Sequence, residues 1–113
     1  MAEPARDAPL LSTSLPELAG QLRGLLERAG HETLAAQIPH LRIVDRCRCG
    51  DSFCGTFYTA SKPKGAWGPG HKTIALDEAT EGMLNVDVLN GIIVSVEVLD
   101  YDSVRDQVHA LLP

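Results

Sequence analysis

Leucines recur at helical spacing near the start of the chain. Leu18 and Leu22 belong to a stripe of apolar residues separated by polar and small ones. This pattern predicts an amphipathic helix that begins at Ser14 and ends at Gly30. A second, shorter helix is expected from about Glu32 to Ile38, because the proline that follows blocks its continuation.

The pattern then changes to the alternation typical of β-strands. Apolar and basic residues alternate from Leu41 to Cys49, and a run rich in aromatic residues and threonine follows from Phe53 to Ala60. Together they predict a hairpin, and if it pairs Cys49 with Cys54, the thiol of Cys47 lies on the same face and the three thiols cluster. After a loop rich in glycine and proline, a further strand is predicted from His71 to Leu76.

Two apolar runs flank Asn90 and Gly91, and this is the strongest local signal in the chain. The Asn-Gly pair favours a hairpin turn. A two-residue turn would pair Val88 with Ile93 and send the two rows of valines to opposite faces of the sheet, whereas a three-residue loop that includes Leu89 pairs Val88 with Ile92. The alternation therefore favours the three-residue loop.

A final helix is predicted from about Ser103 to Leu112, so helices and strands are segregated along the chain. This order predicts an α+β fold with two N-terminal helices, a four-stranded mainly antiparallel sheet and a C-terminal helix, packed in two layers. Residues 1 to 13 lack a period and are expected to be flexible, and residues 14 to 113 to form one domain. The predicted core comprises the positions that the helical period and the two-residue strand period place inward: Leu18, Leu22, Leu25, Ile43, Phe57, Ile74, Val86, Val94, Val96 and Val108.

Composition and charge narrow the class of protein. The chain has 113 residues and a net charge of −5. The negative charge speaks against nucleic-acid binding. Basic residues outnumber acidic ones from 42 to 72, and the reverse holds from 73 to 113. No apolar run is long enough to span a bilayer, and the start of the chain lacks the features of a secretory signal. We therefore expect a cytoplasmic protein without membrane contact.

Three cysteines lie close together in the sequence: Cys47, Cys49 and Cys54. An odd number of cysteines favours a reducing compartment. The spacing differs from the C-x2-C pattern of zinc knuckles, and no second pair follows. Small core residues without a metal are therefore the preferred interpretation, with a zinc site as the alternative.

A zinc site needs a fourth ligand, and histidine is the first candidate. His71 closes a Gly-Pro-Gly turn at the start of a predicted strand and is the preferred choice, with His40 as another. His31 and His109 are expected at helix ends or on solvated helix faces, where they indicate no function.

Basic and aromatic residues surround the cysteines in sequence. Arg46 and Arg48 share one face of a predicted strand, and Lys62 and Lys64 precede Trp67 in the following loop. Because aromatic anchors dominate protein interfaces, we expect these five residues to bind a partner. No motif of a known catalytic class occurs, so no catalytic residue is predicted.

The preferred function is therefore a non-enzymatic small binding or interaction domain that engages a protein partner or itself. The alternative is a metal (zinc)- or thiol-dependent protein that uses Cys47, Cys49 and Cys54, and a further alternative is an enzyme with an unrecognised site.

Three stretches, CRCGDSFCGTFYTA, GAWGPGH and VDVLNGIIVSVEVLD, resemble a small bacterial protein family of unknown function with a Cys-rich hairpin and a Gly-Pro-Gly-His turn. The resemblance covers roughly residues 41 to 100. It implies a compact bacterial cytosolic domain, and it implies no substrate and no catalytic residue.

Overall fold

The computed structural model describes residues 7–113 and has the predicted α+β fold. The sheet has five strands rather than four. Two hairpins contribute two strands each, and one strand between them in the chain is the fifth. All neighbouring strands are antiparallel, in the order β1-β2-β5-β4-β3. The elements along the chain are α1 (Leu11–Ser14), α2 (Pro16–Arg28), α3 (Glu32–Ala35), a 3-10 turn (Ile38–His40), β1 (Asp45–Arg46), β2 (Phe57–Tyr58), β3 (His71–Leu76), β4 (Met83–Leu89), β5 (Ile92–Leu99) and α4 (Asp102–Leu111).

The fold begins earlier in the chain than predicted. Leu11, in α1, is fully buried, and its backbone N–H donates to the carbonyl of Leu41 at 2.9 Å. The N–H of Ile43 in turn donates to the carbonyl of Pro9 at 2.8 Å. Residues 9 to 13 are thus part of the packed structure rather than a flexible segment, while residues 1 to 6 of that predicted segment lie outside the described residues.

The helices and one face of the sheet enclose a single hydrophobic core. In α2 the predicted leucine stripe is buried, and Pro16 occupies the first turn, where a backbone donor has no helical partner. All the predicted core residues are buried except Ile74, which is half-buried against the core. Among residues 7–113, no helix is long and apolar enough to cross a membrane.

The β4–β5 hairpin has a two-residue turn, so the predicted three-residue loop is wrong. Leu89 pairs with Ile92, and Asn90 and Gly91 form the turn with φ angles of 51° and 84°. Two left-handed residues give the type I′ turn that Asn-Gly favours, and its twist matches that of the strands. The intrinsic preference of the Asn-Gly pair therefore decided the turn length.

A β-bulge resolves the register conflict that this turn creates. Val88 pairs with Ile93 and Asp87 pairs with Ser95, which leaves Val94 as an extra residue in β5. Beyond the bulge Val86 lies opposite Val96, and both are fully buried. The extra residue thus returns both valine rows to the core face.

The β1–β2 hairpin is shorter than predicted, and its ladder ends before Cys49 and Cys54. After the two paired residues of each strand, the N–H of Cys47 donates to the carbonyl of Thr56 at 2.9 Å, and the ladder stops there. The same register extended by two residues places Cys49 opposite Cys54. Cys54 instead forms a bridge to Leu99 at the end of β5.

Helix α4 packs directly on residues 52 to 55, on either side of Cys54. A Cβ atom on Gly55 would lie 2.8 Å from the Cα of Arg105, closer than real Cβ contacts allow. The Arg105 guanidinium donates to the carbonyl of Ser52, and the N–H of Asp100 donates to the carbonyl of Phe53. Glycine at position 55 therefore permits the close approach of α4.

We expect Gly55→Ala to lower the free energy of unfolding by about 1–3 kcal/mol, since the added methyl group overpacks the contact with α4. Gly20→Ala is the matched control, because a Cβ there meets nothing within 4 Å and alanine favours the helix by roughly 0.5–1 kcal/mol. Urea denaturation measures both. Equal midpoints for the two variants would contradict the packing described.

Candidate functional site

The three cysteine thiols converge at one edge of the sheet. The Sγ atoms of Cys47, Cys49 and Cys54 all lie within 4.8 Å of one another, and none of the three forms a disulfide. Cys54 is buried, Cys47 is half-buried and Cys49 is exposed. We call these three residues the cysteine cluster.

A tight loop brings the thiols together. Gly50 has a left-handed φ of 83°, a conformation that glycine adopts without strain, and the N–H of Cys54 donates to the carbonyl of Asp51 at 3.2 Å. The chain therefore reverses within a few residues of Cys49. Although Cys49 and Cys54 are not paired in the ladder, this reversal brings their thiols to the same space as that of Cys47.

The thiols differ in how readily they ionise. Burial opposes ionisation of Cys54, but hydrogen bonds from Thr56 and from the other two cysteines outweigh it and lower the pKa of Cys54 below its usual range. A backbone hydrogen bond from Asp51 favours the Cys49 thiolate, yet the Cys47 thiol, desolvation and the neighbouring Cys54 together raise the pKa of Cys49 to about 11. Cys54 thus ionises more readily than Cys49.

A cavity of about 500 Å³ opens beside the cysteine cluster. Arg46 and Arg105 line it together with His109 from the last turn of α4. The Arg46 guanidinium donates to the carbonyls of Leu112 and Cys47. Because these bonds go to backbone oxygens, the positive charge of Arg46 is held beside the thiols.

The structure does not bring the predicted fourth ligands to the cysteine cluster. His71 lies on β3, at the opposite edge of the sheet, where its Nε2 is 2.9 Å from Oδ1 of Asp87. His40 ends the 3-10 turn and also lies outside the cluster. His109, expected on a solvated helix face, is half-buried and lines the cavity instead. Its sequence context resembles that of any helical histidine, so no local signal could have identified it.

The face of the sheet opposite the helices carries a row of polar side chains. Strand pairing aligns Thr73, Asp87, Ser95 and Tyr58 across four strands. The Asp87 carboxylate accepts hydrogen bonds from Ser95 Oγ at 2.6 Å and from Thr73 Oγ1 at 2.7 Å, in addition to its contact with His71. Burial alone raises the pKa of Asp87, but these three partners outweigh it and hold the pKa below its usual range.

Two of the predicted partner-binding residues flank Tyr58 on this open face. The Nζ of Lys62 lies 5.7 Å from the ring centroid of Tyr58, and the ring of Trp67 lies at 6.4 Å with a tilt of 55°. Burial and the adjacent Cys47 and Cys54 raise the pKa of Tyr58 to about 12. Lys64 is exposed in the same loop.

The other two predicted partner-binding residues point elsewhere. Arg46 is directed toward the end of α4, and the Arg48 guanidinium donates to the backbone oxygen of Pro113 at 3.1 Å and to Asp45. The structure therefore groups Lys62 with Trp67 around Tyr58, and Lys62 also lines a cavity that it shares with Arg46 and Arg48.

No protein-family model matches this chain, and comparisons with curated proteins and with solved structures also give no match. The resemblance of residues 41 to 100 to a bacterial family therefore stays a prediction. Functional inference depends on the geometry of the site alone.

We expect Asp87→Asn to lower the free energy of unfolding by about 1–3 kcal/mol at neutral pH, because hydrogen bonds to a charged carboxylate are replaced by weaker ones. The folded pKa of Asp87 is depressed, so its contribution is complete above the unfolded pKa of about 3.9 and is lost as pH falls through the folded pKa. The difference between variant and wild type should therefore shrink in acid. Urea denaturation across pH 2 to 7, with the exposed Asp77→Asn as control, tests this, and a constant difference would contradict it.

Proposed function

We propose that this protein binds a metal ion, Zn²⁺ in the first instance, through Cys47, Cys49 and Cys54. The observation that carries the proposal is the convergence of three sulfur atoms within 4.8 Å. Thiolate sulfur is a preferred ligand of zinc. Of the two interpretations of the cysteines, the proposal thus takes the metal-dependent one rather than that of small core residues without a metal.

The geometry suits a tetrahedral ion. A Zn–S bond of about 2.3 Å places neighbouring sulfur ligands about 3.8 Å apart, so the cysteine cluster would contract by at most about 1 Å on binding. The ion would also lower the pKa values of the thiols, because a coordinating thiol is deprotonated outright. Arg46, whose guanidinium donates to backbone carbonyls, would offset part of the excess negative charge of three thiolates, whereas Arg105 is already paired with Asp102 and Asp106.

The surroundings of the thiols also favour this function. A structural core cysteine is buried among apolar side chains, but Cys49 is exposed and Cys47 is half-buried. Cys54 is buried as a core residue would be, but it lies outside the contiguous cluster of hydrophobic side chains between the helices and the sheet. Three thiols that contact one another at a cavity thus form a ligand set more readily than a packing element.

Reduced protein, purified without a metal-binding tag, should bind one Zn²⁺ or Co²⁺ per chain. At free zinc 100-fold above the dissociation constant, binding should raise the free energy of unfolding by about 2.7 kcal/mol, and a chelator should reverse the gain. Elemental analysis, cobalt-thiolate absorption and thermal denaturation with and without chelator provide the measurements.

Each of the two single variants, Cys49→Ser and Cys54→Ser, should abolish cobalt-thiolate absorption at stoichiometric metal. The control Ser52→Ala, in the same loop, should retain it. Absence of metal from the reduced wild-type protein would overturn the proposal. So would formation of a disulfide within the cysteine cluster that proceeds equally fast with and without zinc, since bound zinc should protect the thiols.

A second candidate is the interaction domain expected from the sequence, supported by a cavity of about 400 Å³ on the open sheet face, which Cys47 and Cys54 also line. Trp67 is half-buried there, and Phe53, 44% exposed, lines the same cavity. Two large apolar side chains at the mouth of a polar cavity suit contact with a second copy of this chain or another protein.

For self-association, we expect Trp67→Ala to weaken dimerisation on the order of 30-fold, the loss typical of an aromatic hot spot, while Lys64→Ala should have little effect. Sedimentation velocity over a concentration series measures this. A wild-type chain that stays monomeric throughout would contradict self-association.

A further inference from the structure

We propose that His109 supplies the fourth ligand of the metal, so that the cysteine cluster and helix α4 together form a closed Cys3His centre. This inference rests on the proposed metal binding. It assigns a ligand distant in sequence from the cysteines and makes α4 part of the metal site.

We call residues 47 to 55 the cysteine segment, and the face of α4 that meets it carries His109. Arg105 and His109 are four residues apart and therefore lie one above the other on the same helix face. Arg105 is the residue whose backbone approaches Gly55 and whose guanidinium donates to the carbonyl of Ser52. That face is thus fixed toward the segment from 52 to 55.

His109 shares a single cavity with all three thiols. It lines the cavity of about 500 Å³ together with Cys47, Cys49 and Cys54, and its ring lies outside the cluster of sulfur atoms. The imidazole is half-buried, and binding the metal would require it to rotate about its own side-chain bonds toward the sulfur atoms. The half-open cavity leaves room for that movement.

Asp51 is the competing ligand, because it also lines this cavity. A fourth anionic ligand would leave a Zn²⁺ centre with a charge of −2, whereas neutral imidazole leaves −1, and the half-buried site favours the smaller charge. Imidazole nitrogen also completes the ligand sets typical of structural zinc sites with three cysteines.

A closed shell has a functional consequence. Catalytic zinc keeps an open position for water, while structural zinc is held by four protein ligands. With His109 bound, the ion links α4 to the cysteine segment, and the centre acts as a structural clamp between two parts of the chain.

The test compares full-length wild-type protein with His109→Asn, Asp51→Asn and the control His40→Asn, all titrated with zinc or cobalt. We expect His109→Asn to weaken zinc binding on the order of 100-fold or more, beyond the range seen for the loss of outer-shell partners, while the other two variants bind as wild type does. Long-range 1H–15N NMR of the wild-type protein gives a second measurement that needs no variant. One ring nitrogen of His109 should shift on zinc addition, while the rings of His31, His40 and His71 should not.

The outcomes separate the two proposals. If the reduced wild-type protein binds no metal, the proposed function fails. If it binds metal but the His109 ring nitrogens do not shift and His109→Asn binds zinc as tightly as wild type, only the present inference is overturned. Loss of affinity in Asp51→Asn instead, with His109 unshifted, would also overturn it and assign the fourth position to Asp51.

Discussion

The extra residue at Val94 is the constraint on which the arrangement of the sheet depends. The Asn-Gly turn fixes a two-residue loop, and only a shift of one position then lets the apolar rows of β4 and β5 share a face. The same shift aligns Asp87 with Ser95 on the opposite face. The carbonyl of Val94 accepts the N–H of Thr59 at 2.9 Å, so the bulge also docks the hairpin that leads to the cysteines. The bulge thus determines which residues face the core, which form the polar row, and where the hairpin that leads to the cysteine cluster docks.

The cysteine segment combines a fixed backbone with adaptable side chains. Bridges to β5 and the close approach of α4 hold its main chain, and arginine side chains bind its carbonyl groups. The thiols project from this frame into a cavity and contact mainly one another. A site built this way needs little backbone movement to take up an ion, which reduces the entropy that binding must overcome.

Periodicity predicted the α+β class, the bounds of β3 and most of the core, because each depends on local spacing. The bulge was not predictable, since it reflects a competition between turn preference and burial that only the packed sheet decides. The burial of Leu11 depends on its contact with Leu41, and the approach of His109 to the thiols depends on the packing of α4. Such tertiary contacts leave no periodic trace in the sequence.

The contact between Ser52 and Arg105 joins residues 53 positions apart. A ribosome that adds about 5–20 residues per second needs roughly 3–10 s to extend the chain from one to the other. During that interval the cysteine segment lacks both its β5 partner and the helix that covers it, and a two-stranded hairpin alone is barely stable in water. In a nascent chain all three thiols are therefore open to oxidants, whereas Cys54 is shielded in the folded protein. Synthesis in a reducing environment would protect the thiols until α4 has been made.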